Sequence, residues 1–214
     1  MRRKFVYIIN DLRKGGTNNC FVNLIQSTSK NSIIICINKR GFYYEYLISR
    51  GFAVYYLDFS SVITLVKSLY KIMTVLKKER QSILNCWLYK SCLFGGLISI
   101  IFRNKKIIWN IRHADTELNV KNVKKHLLIR FCSIITNLKK INILYNSNCA
   151  LETHRKIGFK SNNCQIINNS FDSIKFKNSK NKNKFLSKYN INKDKLIISM
   201  YGRYHPIKNH YILL

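Results

Sequence analysis

The chain contains 214 residues, of which 47% are hydrophobic and 13% aromatic, a composition that excludes an intrinsically disordered protein and indicates a packed core. Its 38 basic and 9 acidic residues give a net charge of +29, which predicts attraction to an anion: nucleic acid, an acidic membrane face or a phosphorylated substrate. The lysines are spread along the chain among many Asn and Ile residues, a bias that the codons of an AT-rich genome explain without any single basic patch.

The seven cysteines are odd in number, stand mostly in apolar runs and form no C-x-x-C pair, which favours free buried thiols in a reducing compartment. The basic N-terminus is followed by an apolar stretch too short for a signal peptide, and the apolar run 92–102 is only half a membrane span. We therefore expect a cytoplasmic protein, or one bound peripherally to the inner face of the cytoplasmic membrane.

Short apolar runs alternate with longer helix-patterned stretches from the start of the chain. Strands are predicted near 4–9, 33–37, 53–58, 83–86, 106–111, 141–146 and 164–168. Helices are predicted near 18–28, 42–50, 61–79, 90–102, 120–138 and 148–157. Such alternation requires crossover connections and gives a parallel sheet covered on both faces. The sequence therefore predicts one doubly wound, Rossmann-like α/β domain of seven parallel strands over residues 1–169.

The composition changes after this domain. Residues 170–192 are dense in Lys, Asn and Ser, which indicates a solvated basic linker with one helical turn near 185–189. An apolar strand at 196–201 and a helix beginning at Asn209 then open a second α/β domain over residues 193–214. Because one strand and a partial helix cannot bury their own apolar faces, we expect this segment to be ordered only when it packs on the first domain or on a partner.

The turn after the first strand carries two glycines, Gly15 and Gly16. They allow a close backbone approach, Thr17 is placed to cap the next helix, and the bare N–H groups of that helix N-terminus form an anion site. A Gly-Gly turn is also a common structural turn. The pattern is not G-x-G-x-x-G, so it gives poor support for dinucleotide binding.

A second anion site is predicted after the strand at 196–201. Arg203 and Lys208 flank the only proline and stand beside the N-terminus of the helix at Asn209. Open α/β folds bind ligands at the carboxyl ends of their strands, where Arg as a planar fork and Lys as a point charge suit a diphosphate. The alternative is two solvated charges on a surface loop.

The run 107–115 places Arg112 and His113 at the carboxyl end of the fifth strand, on the same rim as Gly16. A histidine there can donate a hydrogen bond to a sugar hydroxyl or to a phosphate. Its alternative role is to cap the helix that follows. His154, on the sixth predicted helix, is interpreted as structural.

Several of these motifs together resemble retaining glycosyltransferases of family 4 type, which have the GT-B fold. The motifs are G-R-x-x-x-x-K-N-H-x-x-L-L from Gly202, L-x-x-G-G-x-x-x-x-x-V-N-L from Leu12, W-x-I-R-H from Trp109, and the stretches 85–97 and 146–159. The resemblance covers nearly the whole chain. It implies the N-terminal Rossmann-like domain of a GT-B protein, on the acceptor side, followed by the first strand and partial helix of a second, nucleotide-sugar-binding domain.

On the donor side, the resemblance implies that Arg203 and Lys208 hold the diphosphate of a nucleotide sugar from the second domain. The backbone of the Gly15–Gly16 turn faces the same phosphates across the cleft. His113 faces the donor sugar and is the implied catalytic residue.

On the acceptor side, the resemblance implies roles for Arg112, Trp87 and Tyr89. Core packing is at least as good an interpretation of the two aromatic residues.

The activity implied by this resemblance is transfer of a sugar, with retention, from a nucleotide diphosphate sugar to a glycan or lipid-linked acceptor, in surface polysaccharide biosynthesis. The implied mechanism uses no metal and no other cofactor, because the diphosphate contacts stabilise the leaving group electrostatically. Where the family usually has Ile-Pro-Asn-Gly at the domain junction, this chain has Ile-Asn-Asn-Ser at 167–170, which makes the hinge softer. Since the family's two glutamates would lie beyond Leu214, we expect a fragment that is inactive alone.

Two basic amphipathic helices, predicted at 61–79 and 120–140, suit an anionic bilayer and a solvated surface equally well. Their basic residues are Lys67, Lys71, Lys77 and Lys78 in the first, and Lys121, Lys124, Lys125 and Arg130 in the second.

Two other functions stay open on the sequence. The charge permits a non-catalytic nucleic-acid-binding protein, but no helix-turn-helix, zinc spacing or RNP-like motif is visible, so no specific nucleic acid is expected. Another GT-B enzyme, such as a sugar-nucleotide epimerase, would share the architecture. The Arg–Lys turn and the W-x-I-R-H motif disfavour it.

Overall fold

The computed structural model describes residues 4–102, 106–113, 123–160, 163–169, 182–202, 204 and 209–213. The chain divides into two compact units, Met1–Ser170 and Phe171–Leu214.

The first unit is built on a parallel sheet of seven strands in the order β3-β2-β1-β4-β5-β6-β7. The strands are β1 Phe5–Asp11, β2 Ile33–Lys39, β3 Ala53–Tyr56, β4 Ile83–Trp87, β5 Ile107–Ile111, β6 Asn142–Tyr145 and β7 Asn163–Ile166. The central strands are near-continuous apolar runs because both faces of a parallel sheet are covered. The predicted α/β fold with seven parallel strands is confirmed.

Helices connect successive strands. They are α1 Gly16–Gln26, α2 Phe42–Ser49, α3 Val62–Lys78, α4 Tyr89–Ile101, α5 Val123–Leu138 and α6 Asn148–Lys156. One hydrophobic cluster joins the strands to α1 and α2 on one face of the sheet, and another joins them to α3, α4, α5 and α6 on the other. These bounds lie within a few residues of the predicted ones.

One difference among the strands is at the end of β1, which was predicted to stop at residue 9 and continues through Asn10 to Asp11. Across a register shift between Ile9 and Asp11, Asp11 stays paired with Lys39 of β2. The consequence is functional, because Asp11 then stands at the carboxyl edge of the sheet, where the first loop begins.

The second unit contains α7 Lys182–Lys188 and a short 3-10 helix, His210–Leu213. The turn predicted near 185–189 is therefore real and longer than expected. Residues 196–201, in contrast, form no strand, and the α-helix predicted from Asn209 is only 3-10. A strand needs a hydrogen-bonded neighbour, and here Leu196 and Ile198 are 87% and 72% exposed.

No helix among the described residues is long and apolar enough to cross a bilayer. Because all seven strands are parallel, their carboxyl ends meet at one edge of the sheet. The loops that follow β1, β4, β5, β6 and β7 therefore gather there.

Candidate functional site

The first loop at this edge is held by Asp11. Its carboxylate accepts hydrogen bonds from the backbone N–H of Arg13 (3.2 Å), from Nη2 of Arg13 (3.0 Å) and from Nδ2 of Asn18 (3.0 Å). Burial alone would raise the pKa of the Asp11 carboxyl, but these hydrogen bonds and the Arg13 charge outweigh it and lower the pKa. Asp11 is thus ionised at neutral pH and fixes the loop to the first turn of α1.

Gly15 and Gly16 follow this anchor and start α1. Gly15 is the N-cap residue, and no described side chain caps the helix, so the expectation that Thr17 does so is wrong: Thr17 lies inside the first turn. A Cβ atom added to either glycine would meet no described atom within 4 Å. The leading N–H groups of α1 therefore have no side-chain cap, and the space beside the two glycines is open, an arrangement that favours an anion.

A third glycine, Gly41, allows the start of α2 to pack closely against the first loop. Gly41, before α2, has φ +67°, and a Cβ atom there would lie 2.6 Å from the backbone nitrogen of Arg13. The N–H of Tyr43 donates to the carbonyl of Leu12 at 2.8 Å. The start of α2 is thus packed directly on the first loop, and only glycine fits.

His113 stands at the end of β5 with an exposed ring. One face of the ring is stacked on Tyr89, with ring centroids 6.1 Å apart and planes at 28°. Tyr89 is the first residue of α4 and is only 7% exposed. The preceding residue, Leu88, adopts φ 70°, an unusual conformation for leucine that turns the chain sharply from β4 into α4.

The Tyr89 hydroxyl is fixed in turn by His154, a fully buried residue of α6. The Tyr89 oxygen lies 2.6 Å from Nε2 of His154, and Nδ1 of His154 lies 2.6 Å from the carbonyl oxygen of Ala150. A carbonyl only accepts, so Nδ1 carries the proton; Nε2 of the neutral ring then accepts from the tyrosine. Burial lowers the pKa of His154, which keeps the ring neutral at pH 7.

These three rings come from β5, α4 and α6, and the fold brings them into one row. His154 is structural, in agreement with its interpretation from sequence, and it supports the residue on which His113 rests. The His113 ring is therefore supported on one face by Tyr89, in a position from which a ring nitrogen can bind a ligand.

Arg112 lies beside this row, over the ring of Trp87. Its guanidinium carbon is 4.7 Å from the Trp87 ring centroid. Its Nη1 donates to the carbonyl of Ile167 (3.3 Å) and to Oδ1 of Asn169 (3.0 Å), and its Nη2 to Oδ1 of Asn110 (3.3 Å). Burial lowers the pKa of the Arg112 guanidinium, which still stays charged at neutral pH.

Polar atoms without partners are concentrated at this edge. Buried side-chain atoms that lack a hydrogen bond include Oδ1 of Asn10 after β1, Nε1 of Trp87 at the end of β4, Nε of Arg112 after β5, and Oδ1 of Asn146 after β6. Oδ1 of Asn18, in α1, belongs to the same set. Buried polar atoms normally have partners, so such a cluster marks where a polar ligand or bound water completes the site.

A concavity of about 800 Å³ opens at the opposite edge of the sheet, between Phe5, Thr28 and Ile83. Its one charged lining residue, Lys4, is paired with Glu79 at 2.6 Å. Parallel α/β folds carry their ligands at the carboxyl ends of the strands, and the unpaired polar atoms lie there. We therefore place the candidate site at the carboxyl edge.

Of the residues singled out from sequence, the structure brings Gly15, Gly16, Trp87, Tyr89, Arg112 and His113 to this one edge. Trp87 and Tyr89 are both buried, 1% and 7% exposed, so each packs in the core. Arg203 and Lys208 lie outside the described residues. Within the described part of the chain, no group of three or more His, Cys, Asp or Glu side chains is placed to hold a metal ion.

Sequence reasoning passed over Asp11 and Asn110. Asp11 had a local signal: an Asp side chain that accepts a hydrogen bond from the backbone N–H two residues later forms a common turn motif. Asn110 had none: its Nδ2 donates to Oδ1 of Asn85 at 2.5 Å, a contact between β5 and β4 that depends on strand order. This pair buries two amides behind Arg112.

No protein-family model matches the chain, and no curated protein matches its sequence. Its fold is similar to crystal structures of Anabaena Alr3699/HepE. For the complex with UDP the TM-score is 0.81 at 13% identity, over 98% of this chain and 56% of that chain. For the complex with UDP-glucose it is 0.76 at 13% identity, over 99% and 56%.

A third structure, Anabaena Alr3699/HepE in complex with UDP and glucose, matches with a TM-score of 0.69 at 13% identity, over 88% of this chain and 50% of that chain. The chain thus spans about half the length of the structures it matches. At this identity the likeness establishes the fold, which is the α/β architecture that the sequence predicts.

Proposed function

We propose that the first unit is the acceptor-side domain of a glycosyltransferase, which moves a sugar from a nucleoside diphosphate sugar to a glycan or lipid-linked acceptor. The observation that carries the proposal is that two features lie at the same edge of the sheet. They are the uncapped N-terminus of α1 at Gly16 and the exposed ring of His113, which is stacked on Tyr89. The similarity of the fold to that of a protein crystallised with UDP and with UDP-glucose supports it.

In this proposal the two features have different tasks. The first N–H groups of α1 and the helix dipole bind the donor diphosphate, whose negative charge grows as the sugar leaves. His113 donates a hydrogen bond to a sugar hydroxyl and orients the ring. The resemblance to retaining family 4 enzymes implies that Arg203 and Lys208 also bind the donor diphosphate.

Calorimetric titration with UDP, GDP and their glucose conjugates tests this assignment. We expect one nucleotide to bind and expect binding to weaken in His113→Ala, and in the double variant Arg203→Ala, Lys208→Ala. The matched control is Arg130→Ala, Lys67→Ala, which removes the same charge from exposed helical positions. Equal affinity in the two double variants would show that the charge, rather than the site, attracts the nucleotide.

We also propose that α3 rests on an anionic membrane, on its cytoplasmic side, where a lipid-linked acceptor for polysaccharide synthesis would lie. Phe59, Val62, Ile63, Val66 and Tyr70 are between 58% and 77% exposed along the first turns of α3 and the loop before it. Lys67, Lys71, Lys77 and Lys78 are exposed on the same helix, which contains no acidic residue. Apolar side chains flanked by lysines suit the headgroup region of an anionic bilayer.

The position of α3 fits this role. It follows β3, so its N-terminus lies at the carboxyl edge of the sheet, the edge that carries His113. A bilayer that contacts Val62 and Ile63 would thus lie at the same edge of the sheet as His113. The α5 helix has a second exposed apolar row, which includes Leu127 and Phe131, with Lys124 and Arg130 beside it.

Vesicle co-sedimentation separates these surfaces. Binding should rise with the fraction of anionic lipid and fall in Ile63→Ser, Tyr70→Ser. It should be retained in Ile48→Ser, which removes an exposed apolar residue from α2 on the other face of the sheet. Binding that ignores lipid charge, or that is lost equally in both variants, would refute the α3 contact.

A further inference from the structure

Arg112 is a half-buried cation with no carboxylate partner among the described residues. Its hydrogen bonds go to neutral oxygens of Ile167, Asn169 and Asn110. Asp11, the carboxylate of the first loop at this edge, is paired with Arg13 at 3.0 Å. Burying a guanidinium away from water is costly, and neutral oxygens compensate its charge less well than an anion does.

One donor nitrogen of this guanidinium has no hydrogen-bond partner among the described residues. Nη1 and Nη2 are used by the contacts to β5 and to the chain after β7, whereas Nε is buried and has no partner. Arginine binds phosphoryl groups through its N–H fork, for which Nε–H is one of the donors. The Nε–H donor of Arg112 is therefore available in chemical terms for an anion, and the hydrogen bonds of Nη1 and Nη2 fix the orientation of the guanidinium.

Trp87 supplies the second, independent observation. Its ring lies beneath the guanidinium, is 1% exposed, and packs edge-on against Phe21 with centroids 5.4 Å apart. Its Nε1–H is buried without an acceptor. The indole N–H can only donate, so two buried donors without acceptors lie on stacked side chains at the carboxyl edge. Nε1 of Trp109 also lacks an acceptor, but that ring lies in the core on the other face of the sheet.

We propose that Arg112 and Trp87 form a phosphoryl-binding subsite at the carboxyl edge of the sheet. A phosphoryl group supplies the negative charge and the several acceptor oxygens that both donors lack. The inference rests on the proposed function and deepens it: the phosphoryl group belongs either to the acceptor, as in a lipid phosphate, or to the donor diphosphate.

Tryptophan emission reports directly on this subsite. The chain has two tryptophans, and Trp109 is fully buried in the cluster on the other face of the sheet. A Trp109→Phe background leaves Trp87 as the sole reporter, and circular dichroism verifies that it folds. The probes are inorganic phosphate, farnesyl phosphate below its micellar concentration, and UDP, each at matched ionic strength.

The test variant is Arg112→Gln, and the matched control is Arg50→Gln. Arg50 is also an arginine stacked on an aromatic ring, 5.3 Å from the Tyr46 centroid, but it is exposed at the end of α2. We expect at least one phosphoryl probe to change Trp87 emission, with an affinity reduced about tenfold or more in Arg112→Gln and less than about twofold in Arg50→Gln. Arg112→Lys, which keeps the charge without the fork, should give an intermediate affinity and serves if Arg112→Gln does not fold.

The responses to the three probes identify the source of the phosphoryl group. A response to farnesyl phosphate that depends on Arg112 assigns it to the acceptor, and one to UDP assigns it to the donor. Failure of UDP to bind any variant, with farnesyl phosphate still dependent on Arg112, would refute the donor assignment and leave the subsite standing. The proposal would be refuted if none of the three probes changed Trp87 emission, or if the two glutamine variants bound the probes with equal affinity.

Discussion

The hydrogen bond between Tyr89 and His154 gives the sharpest quantitative test of the site's construction. Tyr89→Phe removes the hydroxyl and leaves Nε2 of His154 buried without a donor, since His154 is 0% exposed and its other nitrogen is committed to Ala150. Leaving one buried acceptor unsatisfied costs about 1–3 kcal/mol in the free energy of unfolding. For a unit of this size, each kcal/mol lowers the unfolding midpoint by roughly 2–4 °C.

Urea unfolding followed by tryptophan emission measures this directly, because Trp87 and Trp109 both lie in the first unit. The matched control is Tyr70→Phe, since Tyr70 is 75% exposed on α3, and we expect it to change stability by less than about 0.5 kcal/mol. A Tyr89→Phe protein as stable as the Tyr70→Phe control would refute the assigned tautomer and the role of His154 as acceptor.

Three further predictions follow from other positions. Burial lowers the pKa of His154 below its unfolded value of about 6.5, so its contribution to stability is complete above that pH and falls by up to about 1.4 kcal/mol per pH unit below it; His154→Gln should flatten the slope of unfolding free energy against pH, and parallel slopes would contradict this. Gly41→Ala should destabilise by about 1–3 kcal/mol more than Gly51→Ala, because both have positive φ but only Gly41 meets a backbone atom, and equal midpoints in thermal unfolding would exclude the clash. Burial raises the pKa of Cys132 to about 12, so in a maleimide time course exposed Cys149 should be modified first and Cys132 only on unfolding; prompt labelling of Cys132 would disprove its burial.

The sheet was predictable because each of its strands carries a local signal. Apolar runs such as Ile33–Lys39 and Ile107–Ile111 alternate with helix-patterned segments, and parallel topology follows from that alternation. The segment 196–201 has the same local signal but no neighbouring strand among the described residues, so apolar side chains such as Leu196 and Ile198 stay exposed. A strand is a non-local structure, and a pattern within one segment does not contain its partner.

The residues of the site were predictable as a set, whereas their contacts were not. Motif position brought Gly16, Arg112 and His113 to one edge, because parallel strands end together. The support behind them depends on distant pairs, such as Tyr89 with His154, 65 residues apart. The unpaired Nε1 of Trp87 depends on burial, which no sequence pattern specifies.

The central claim is that the carboxyl edge of the sheet binds a nucleoside diphosphate sugar. Hydrogen exchange with and without UDP-glucose tests it most directly, because the bare N–H groups at the start of α1 should be the ones that a diphosphate protects. The account predicts slower exchange in a peptide that covers Gly15 to Asn19 and in one that covers Asn110 to His113. Unchanged exchange in both, or protection confined to the opposite edge around Thr28 and Ile83, would contradict it.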